Sequence, residues 1–330
     1  MPNIVVTGGA GFLGTHLCKR LFYDRRENIH VYCIDNFITG KKSNIETLFE
    51  NDNFHLIEYD ITNSLVDLIT VGELPKQIHE IYHLACIASP PIYKKYSFET
   101  LDTNFIGTRN VLQLAHKCEA KMLFTSTSEV YGDPTVHPQP ESYYGNVNPM
   151  GERSCYDEGK RIAETLIYEY RKRYNIDTKV VRVFNTYGPF MDIDDGRVIT
   201  NFIKQIIRND PLIIYGNGNQ GRSFCYVTDM INGLISMMKS SEHGPINLGN
   251  PHCEFTLNEL VKEYEQVLGK KLGVEHLKAT ENDPQQRKPV IDKALEKLNW
   301  QPYVSLKYGL IDTMKHFGIQ TQHEIETLNK

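Results

Sequence analysis

Short apolar runs alternate with stretches of helical spacing through the first half of the chain. Residues 2–7, 30–35, 54–59, 81–85, 121–125 and 178–184 are dense in Val, Ile, Leu and aromatic side chains and predict six strands. Helical spacing begins at Thr15, covers about 98–117 and returns over 161–173. This alternation, kept up to about residue 184, predicts an α/β fold with a doubly wound parallel sheet. Past Asn185 the pattern turns irregular. It reads as helices over 196–208, 229–239 and 257–268, strands over 212–215, 224–227 and 245–248, and a glycine-rich loop over 216–222. A polar loop over 283–289 and helices near 292–298 and 305–316 complete it. The expected division is a dinucleotide-binding domain over 1–184, rejoined by about 224–250, and a smaller C-terminal substrate-binding region over 185–223 and 251–318. Residues 319–330 are expected to fray.

The turn after the first strand gives the fold its first chemistry. Gly8-Gly-Ala-Gly11-Phe-Leu-Gly14 leads straight into helical spacing, and fits G-x-G-x-x-G at 9, 11 and 14 or G-x-x-G-x-x-G at 8, 11 and 14. Between a strand and a helix, such glycines permit a tight turn and let backbone approach a pyrophosphate at the helix N-terminus. Asp35 ends the second strand, twenty-one residues after Gly14. A carboxylate there accepts from a ribose 2′-OH and repels a 2′-phosphate, favouring NAD over NADP, a preference that Lys41 and Lys42 weaken slightly. The sheet is thus of Rossmann type, with Asp60 and Ile61 at the third strand's end placed to meet the adenine.

Composition and charge narrow the partners. At 330 residues the chain can bury a large core, and a formal net charge of −5 gives no reason to expect nucleic acid. No apolar run approaches the ~18 residues of a membrane span, and the N-terminal run reads as a strand rather than a signal peptide. The seven cysteines show no CxxC and no metal-ligand spacing, so reduced thiols in a cytoplasmic protein and no metal are expected.

Two later stretches supply reactive groups. Thr125-Ser-Thr-Ser-Glu129 brings four hydroxyls and a carboxylate to the end of the fifth strand. Tyr156-Asp-Glu-Gly-Lys160 opens a helix, and i, i+4 spacing puts phenol and ammonium on one face. A cation there is expected to depress the tyrosine toward use as a base.

The glycine turn, Asp35, Thr127, Tyr156 and Lys160 together resemble the extended short-chain dehydrogenase/reductase superfamily, over residues 2 to about 318. Longer stretches resemble the UDP-glucuronate decarboxylase family within it: Ala88-Ser-Pro-Pro, Thr103-Asn-Phe-Ile-Gly, Thr125-Ser-Thr-Ser-Glu-Val-Tyr-Gly-Asp-Pro, Gly145-Asn-Val-Asn-Pro, Cys155-Tyr-Asp-Glu-Gly-Lys-Arg and Phe184-Asn-Thr-Tyr-Gly-Pro. Asp195-Gly-Arg-Val and Gln286-Arg-Lys-Pro continue them. Two positions depart from the family's pattern: Phe190 stands where an arginine is expected, and Ile87 where a proline is.

The resemblance implies NAD bound by Gly8, Gly11, Phe12, Leu13, Gly14, Asp35, Asn36, Thr39, Gly40, Asp60, Ile61, Leu84 and Thr103, with Tyr156 and Lys160. It implies catalysis by Tyr156, Lys160, Thr127, Glu129 and Arg287, and substrate contacts from Ser128, Asn185, Arg197, Arg222 and Arg287. The implied reaction oxidises C4 of UDP-glucuronate, loses C6 as CO₂, protonates C5 and reduces C4 again, giving UDP-xylose. Ser128 stands where 4,6-dehydratases place an aspartic acid, which disfavours loss of water. A 4-epimerase of UDP-uronic acids and a catalytically idle NAD-responsive binding protein are the alternatives. A homodimer through a four-helix interface, built on the helices over 98–117 and around Tyr156, is expected by resemblance. Family members often carry an N-terminal membrane anchor; this chain starts at the first strand and is expected to be soluble.

Overall fold

The computed structural model describes residues 1–25, 29–278 and 286–322. The apolar runs form the expected parallel sheet: β1 (Asn3–Thr7), β2 (His30–Asp35), β3 (Phe54–Glu58), β4 (Glu80–His83), β5 (Lys121–Thr127) and β6 (Thr178–Val183). A seventh strand, β7 (Ile246–Leu248), joins from much later in the chain. The order across the sheet is β7-β6-β5-β4-β1-β2-β3, with every neighbouring pair parallel. The strand order reverses between β1 and β4, which opens a crevice at their carboxyl ends.

Register decides what meets at that crevice. Thr7 aligns with Ile34 on one side and His83 on the other, and His83 aligns with Phe124. The residues just beyond (Gly8, Asp35, Leu84 and Thr125 to Thr127) therefore lie along one edge. His83 ties two of these elements to a helix: its Nδ1 meets Thr7 Oγ1 at 2.8 Å and its Nε2 meets Thr108 Oγ1 at 3.1 Å. Burial, helped by the Lys160 charge, lowers its pKa to about 3, so the ring is neutral.

The helix expected over 98–117 is broken into three parts. Ser97–Asp102 and Thr108–Cys118 are α-helical, and Thr103–Gly107 is a π turn. Packing explains the break. A Cβ on Gly107 would stand 2.7 Å from Ile61 Cδ1, and Asn104 is buried, donating to Thr100 O at 2.9 Å. The extra residue of a π turn carries Thr103 and Asn104 toward the cleft.

Beyond β6 the chain adds small strand pairs; the strand at Leu212–Tyr215 was expected, but its partner and the strands at 221–223, 254–256 and 286–287 were not revealed by the sequence pattern. Gly221–Ser223 pairs with Glu254–Thr256 and, in parallel, with Gln286–Arg287. Leu212–Tyr215 pairs with Val274–Leu277. Strands this short carry no alternation long enough to read. Part of the polar loop, residues 283–285, lies outside the described residues; Gln286 and Arg287 are strand. The expected fraying from 319 is not seen in the described part. Ile319 N–H donates to Met314 O at 3.0 Å and Thr321 is buried, while 323–330 lie outside the described residues. No helix among the described residues is long and apolar enough to cross a membrane.

Candidate active site

A cleft of about 1640 Å³ opens over the carboxyl edge of the sheet. That exceeds the ~300–1,000 Å³ of a pocket for one small ligand, leaving room for two extended ones. Its first wall is made largely of backbone. A Cβ on Gly14 would fall 2.0 Å from Gly8 O, and one on Gly8, where φ is +71°, would fall 2.7 Å from Ala85 Cα. Glycine is therefore required for the turn to close on itself and on β4. Asp35 is held behind it, accepting from Ala10 N–H and Phe37 N–H, each at 2.9 Å. Burial raises its pKa, and these backbone donors work against that rise.

Gly8, Gly11, Phe12, Leu13, Gly14, Asp35, Asn36, Thr39, Ile61, Leu84 and Thr103 all line this wall. Gly40 and Asp60 stand behind it. A Cβ on Gly40 would meet Asp35 Oδ1 at 2.7 Å, and the Asp60 carboxylate is taken up by Thr62 and Asn36. A glycine cradle at a helix N-terminus, with a buried acid beside it, fits a dinucleotide of the NAD type.

Tyr156 and Lys160 sit on the first turns of the helix Ser154–Tyr174, both buried. Lys160 Nζ donates to Thr125 O at 2.9 Å and lies 6.0 Å from the centre of the Tyr156 ring. Tyr93 stacks on that ring, with centroids 5.2 Å apart and planes within 4°. The structure corrects the expectation that Lys160 by itself depresses the phenol. Burial comes first and pushes the Tyr156 pKa up, reinforced by Cys86, while the Thr127 hydroxyl and the Arg197 charge pull against it. Removing a phenolate from water outweighs a cation that is itself engaged by a carbonyl. Burial likewise lowers the pKa of Lys160, with Cys86 opposing.

The second wall is charged. Thr127, Ser128, Glu129, Asn185, Arg197, Arg222 and Arg287 all line it. Parallel pairing sets Arg287 in register with Arg222, so the two guanidinium stems leave neighbouring strands together. Arg287 is buried; it donates to Ser128 O, to Gly132 O at 2.9 Å and to Glu129 Oε2 at 3.3 Å. Glu129 Oε2 also accepts from Arg153. Burial works to raise the Glu129 pKa, yet Arg287, Arg153 and Arg222 outweigh it and hold the carboxyl below its usual range. Arg197 Nη2 donates to Ala88 O at 3.1 Å and its Nε pairs with Asp195 at 3.2 Å.

Among the lining residues missed in the sequence are Tyr93, Arg153 and Asp157. Arg153 lies three residues before Tyr156 and therefore on its helix face, a spacing that was there to be read. Phe190, one of the two departures from the family's pattern, has φ +67°; His16 meets it edge-on at 5.4 Å and Lys19 Nζ lies 3.8 Å over its ring.

Known proteins agree with this geometry. The NAD dependent epimerase/dehydratase family matches residues 4–249. UDP-glucuronic acid decarboxylase 3 of Arabidopsis thaliana is 48% identical over 94% of this chain and 87% of its own length. UDP-glucuronic acid decarboxylase 1 of Xenopus tropicalis is 45% identical over 98% of the chain and 73% of its own. Among solved structures, UDP-glucuronic acid 4-epimerase from Bacillus cereus, in complex with UDP-glucuronic acid and NAD, superposes with a TM-score of 0.83 at 30% identity, covering 96% of this chain and 99% of that one. The chain belongs to the NAD dependent epimerase/dehydratase family, in the branch that holds these decarboxylases.

Proposed function

We propose that the chain decarboxylates UDP-glucuronate to UDP-xylose with NAD as a resident cofactor. The observation that carries this reading is the Glu129–Arg153–Arg287 cluster, set across the cleft from the glycine cradle and beside Tyr156. Such a concentration of arginine suits a sugar that bears a carboxylate. Residues 1–184 and about 224–250 form the NAD lobe in this reading, with 185–223 and 251–318 as the substrate lobe; β7 supports it by returning to the sheet.

Uronic acids hold CO₂ firmly because the electrons left on C5 have no sink, and a ketone at C4 provides one. NAD, when bound, supplies the hydride acceptor at C4 and a positive charge beside the phenol. Tyr156 takes the O4 proton, Thr127 hydrogen-bonds the same oxygen and Lys160 fixes the nicotinamide ribose. With the cleft charge added to that of Lys160, the burial that keeps Tyr156 protonated is offset only when the site is filled. Ser128 and Asn185 hold the sugar, and Arg222 the diphosphate. Arg197 lines the same end.

A homodimer is part of this reading. Phe98, Leu101, Phe105, Ile162 and Tyr168 leave apolar surface on the two helical segments that a four-helix interface needs. A cytoplasmic location agrees with seven cysteines that are all free thiols.

Isotope placement tests the reaction. In heavy water the UDP-xylose formed carries one deuterium, at C5, and a deuterium placed on C4 of the substrate stays there. A product that keeps C6 points instead to a UDP-uronic acid 4-epimerase, and an unlabelled C5 removes the proposed order of steps.

A further inference from the structure

Asp157 stands next to Tyr156 in sequence, is buried and lines the cleft, yet no step of the proposed reaction uses it. Its Oδ1 is buried without a hydrogen-bond partner, and its Oδ2 lies 3.8 Å from Arg153 Nε. The same Arg153 donates through Nη2 to Glu129. Two carboxyl groups thus share one guanidinium at the reacting end of the cleft. Glu129 has the second cation as well, because Arg287 reaches it at 3.3 Å.

We propose that Asp157 holds the proton that C5 receives: sharing the Arg153 guanidinium with an ionised Glu129, it stays protonated while the substrate carboxylate is present and gives that proton to C5 once CO₂ has left. The proposal rests on the reading of the chain as a UDP-glucuronate decarboxylase. Two like charges in one desolvated site do not both ionise readily, so the member with fewer cations keeps the proton. That member is Asp157. Its pKa is pushed up to about 7 by burial first and by Glu129 second, against the pull of Arg153 and Arg287. Glu158 on its own helix adds to the rise, and the neutral Tyr93 phenol faces the group from the helix Pro90–Lys95. Glu129 stays ionised and so has no proton of its own to give.

The chemistry supplies the timing. While the C6 carboxylate is present, its charge adds to that of Glu129 and keeps Asp157 protonated. When the C5–C6 bond breaks, its electron pair moves into the C4–C5 enolate and the negative charge leaves the arginine cluster. Asp157 then gives up its proton: its carboxyl O–H bond breaks, and the enolate pair forms the C5–H bond as the C4 ketone returns. The carboxyl pair is left doubly ionised against Arg153 and Arg287, and solvent restores the proton before the next cycle.

The test compares Asp157→Asn and Asp157→Glu with the unaltered NAD-loaded enzyme on UDP-glucuronate. The proton-bearing form is the active one, so turnover of the unaltered enzyme falls as pH rises through about 7. Asp157→Asn is expected to lower turnover about 100-fold. It should leave KM little changed, erase the alkaline limb and let the near-ultraviolet absorbance of reduced nicotinamide build up, because re-reduction of C4 waits for C5. Asp157→Glu should restore most of the rate and the limb. An Asn variant with the original pH profile overturns the proposal. So does a rise in KM at constant turnover, which would make Asp157 only a brace for Arg153. If the Asn variant does not fold, carboxyl ¹³C NMR of the unaltered protein decides: an Asp157 signal titrating near neutrality supports the proposal, and one already ionised well below neutrality refutes it. Absence of CO₂ release by the unaltered enzyme overturns the functional reading itself, which variant-specific failure leaves standing.

Discussion

The two walls of the cleft answer to different physics. Around Gly8, Gly11 and Gly14 the surface is backbone, and its shape follows from the absence of Cβ atoms at contacts as close as 2.0 Å. Around Glu129, Arg153 and Arg287 the surface is charged side chain, Arg287 buried and the other two partly so, and mutually compensated. The first wall needs mostly local geometry, a turn between a strand and a helix, with one distant contact where Gly8 meets Ala85. The second exists only because Gln286–Arg287 pairs with Gly221–Ser223 and carries a guanidinium to the end of β5.

The largest expected effect falls where the walls meet. Tyr156→Phe removes the group proposed to take the O4 proton, and turnover should fall about 10⁴-fold. NAD content should stay unchanged and thermal stability should fall little, since the ring and its stack on Tyr93 remain and only the hydroxyl's interaction with Thr127 is lost. Steady-state kinetics beside cofactor extraction checks this; loss of NAD with the hydroxyl would mean that Tyr156 belongs to the cradle.

Arg287→Ala comes next and probes the charged wall alone. It strips Glu129 of one of its cations and leaves Ser128 O and Gly132 O without their donor. Removing one member of a buried pair costs about 3–5 kcal/mol, to be read from denaturant unfolding. Calorimetry should show UDP-glucuronate weakened more than UDP-xylose, since only the former bears a carboxylate for the arginine cluster. Equal losses would make Arg287 only a brace for Glu129, Ser128 O and Gly132 O.

Gly14→Ala applies the opposite stress. One methyl group against Gly8 O and Gly9 Cα should cost about 1–3 kcal/mol and displace the cradle, so the purified protein should lose its NAD. Full NAD occupancy in this variant would contradict a backbone-made wall. The smallest effect belongs to Phe190→Arg, which restores the family's residue. A second cation beside Lys19 replaces a cation–π contact, for a loss of about 1 kcal/mol visible as a small drop in Tm with kinetics near normal.

Much of the first wall was legible in the sequence because its determinants are local. A strand, a glycine turn, a helix and an acid at fixed distance fall within 35 residues, and backbone sterics alone give that order its meaning. Tyr156 and Lys160 were legible for the same reason, since four residues on a helix is a spatial statement. The π turn at Thr103–Gly107 was not, because only the approach of Ile61 to Gly107 demands it. Nor was the charge state of any group in the cleft. Lys160 was expected to rule Tyr156, yet desolvation does, and desolvation depends on everything packed above the ring.

The sequence alone thus made the strands, the cradle turn and the Tyr–Lys face legible, because each is written in the spacing of a single strand, turn or helix. Tertiary structure alone decided that Arg287 meets Glu129 across 158 residues, that Arg153 stands between two carboxyl groups, and which of the two keeps its charge. Covalent spacing sets a local geometry wherever the chain runs, whereas a pKa is set by the solvent and charges that distant segments remove or supply.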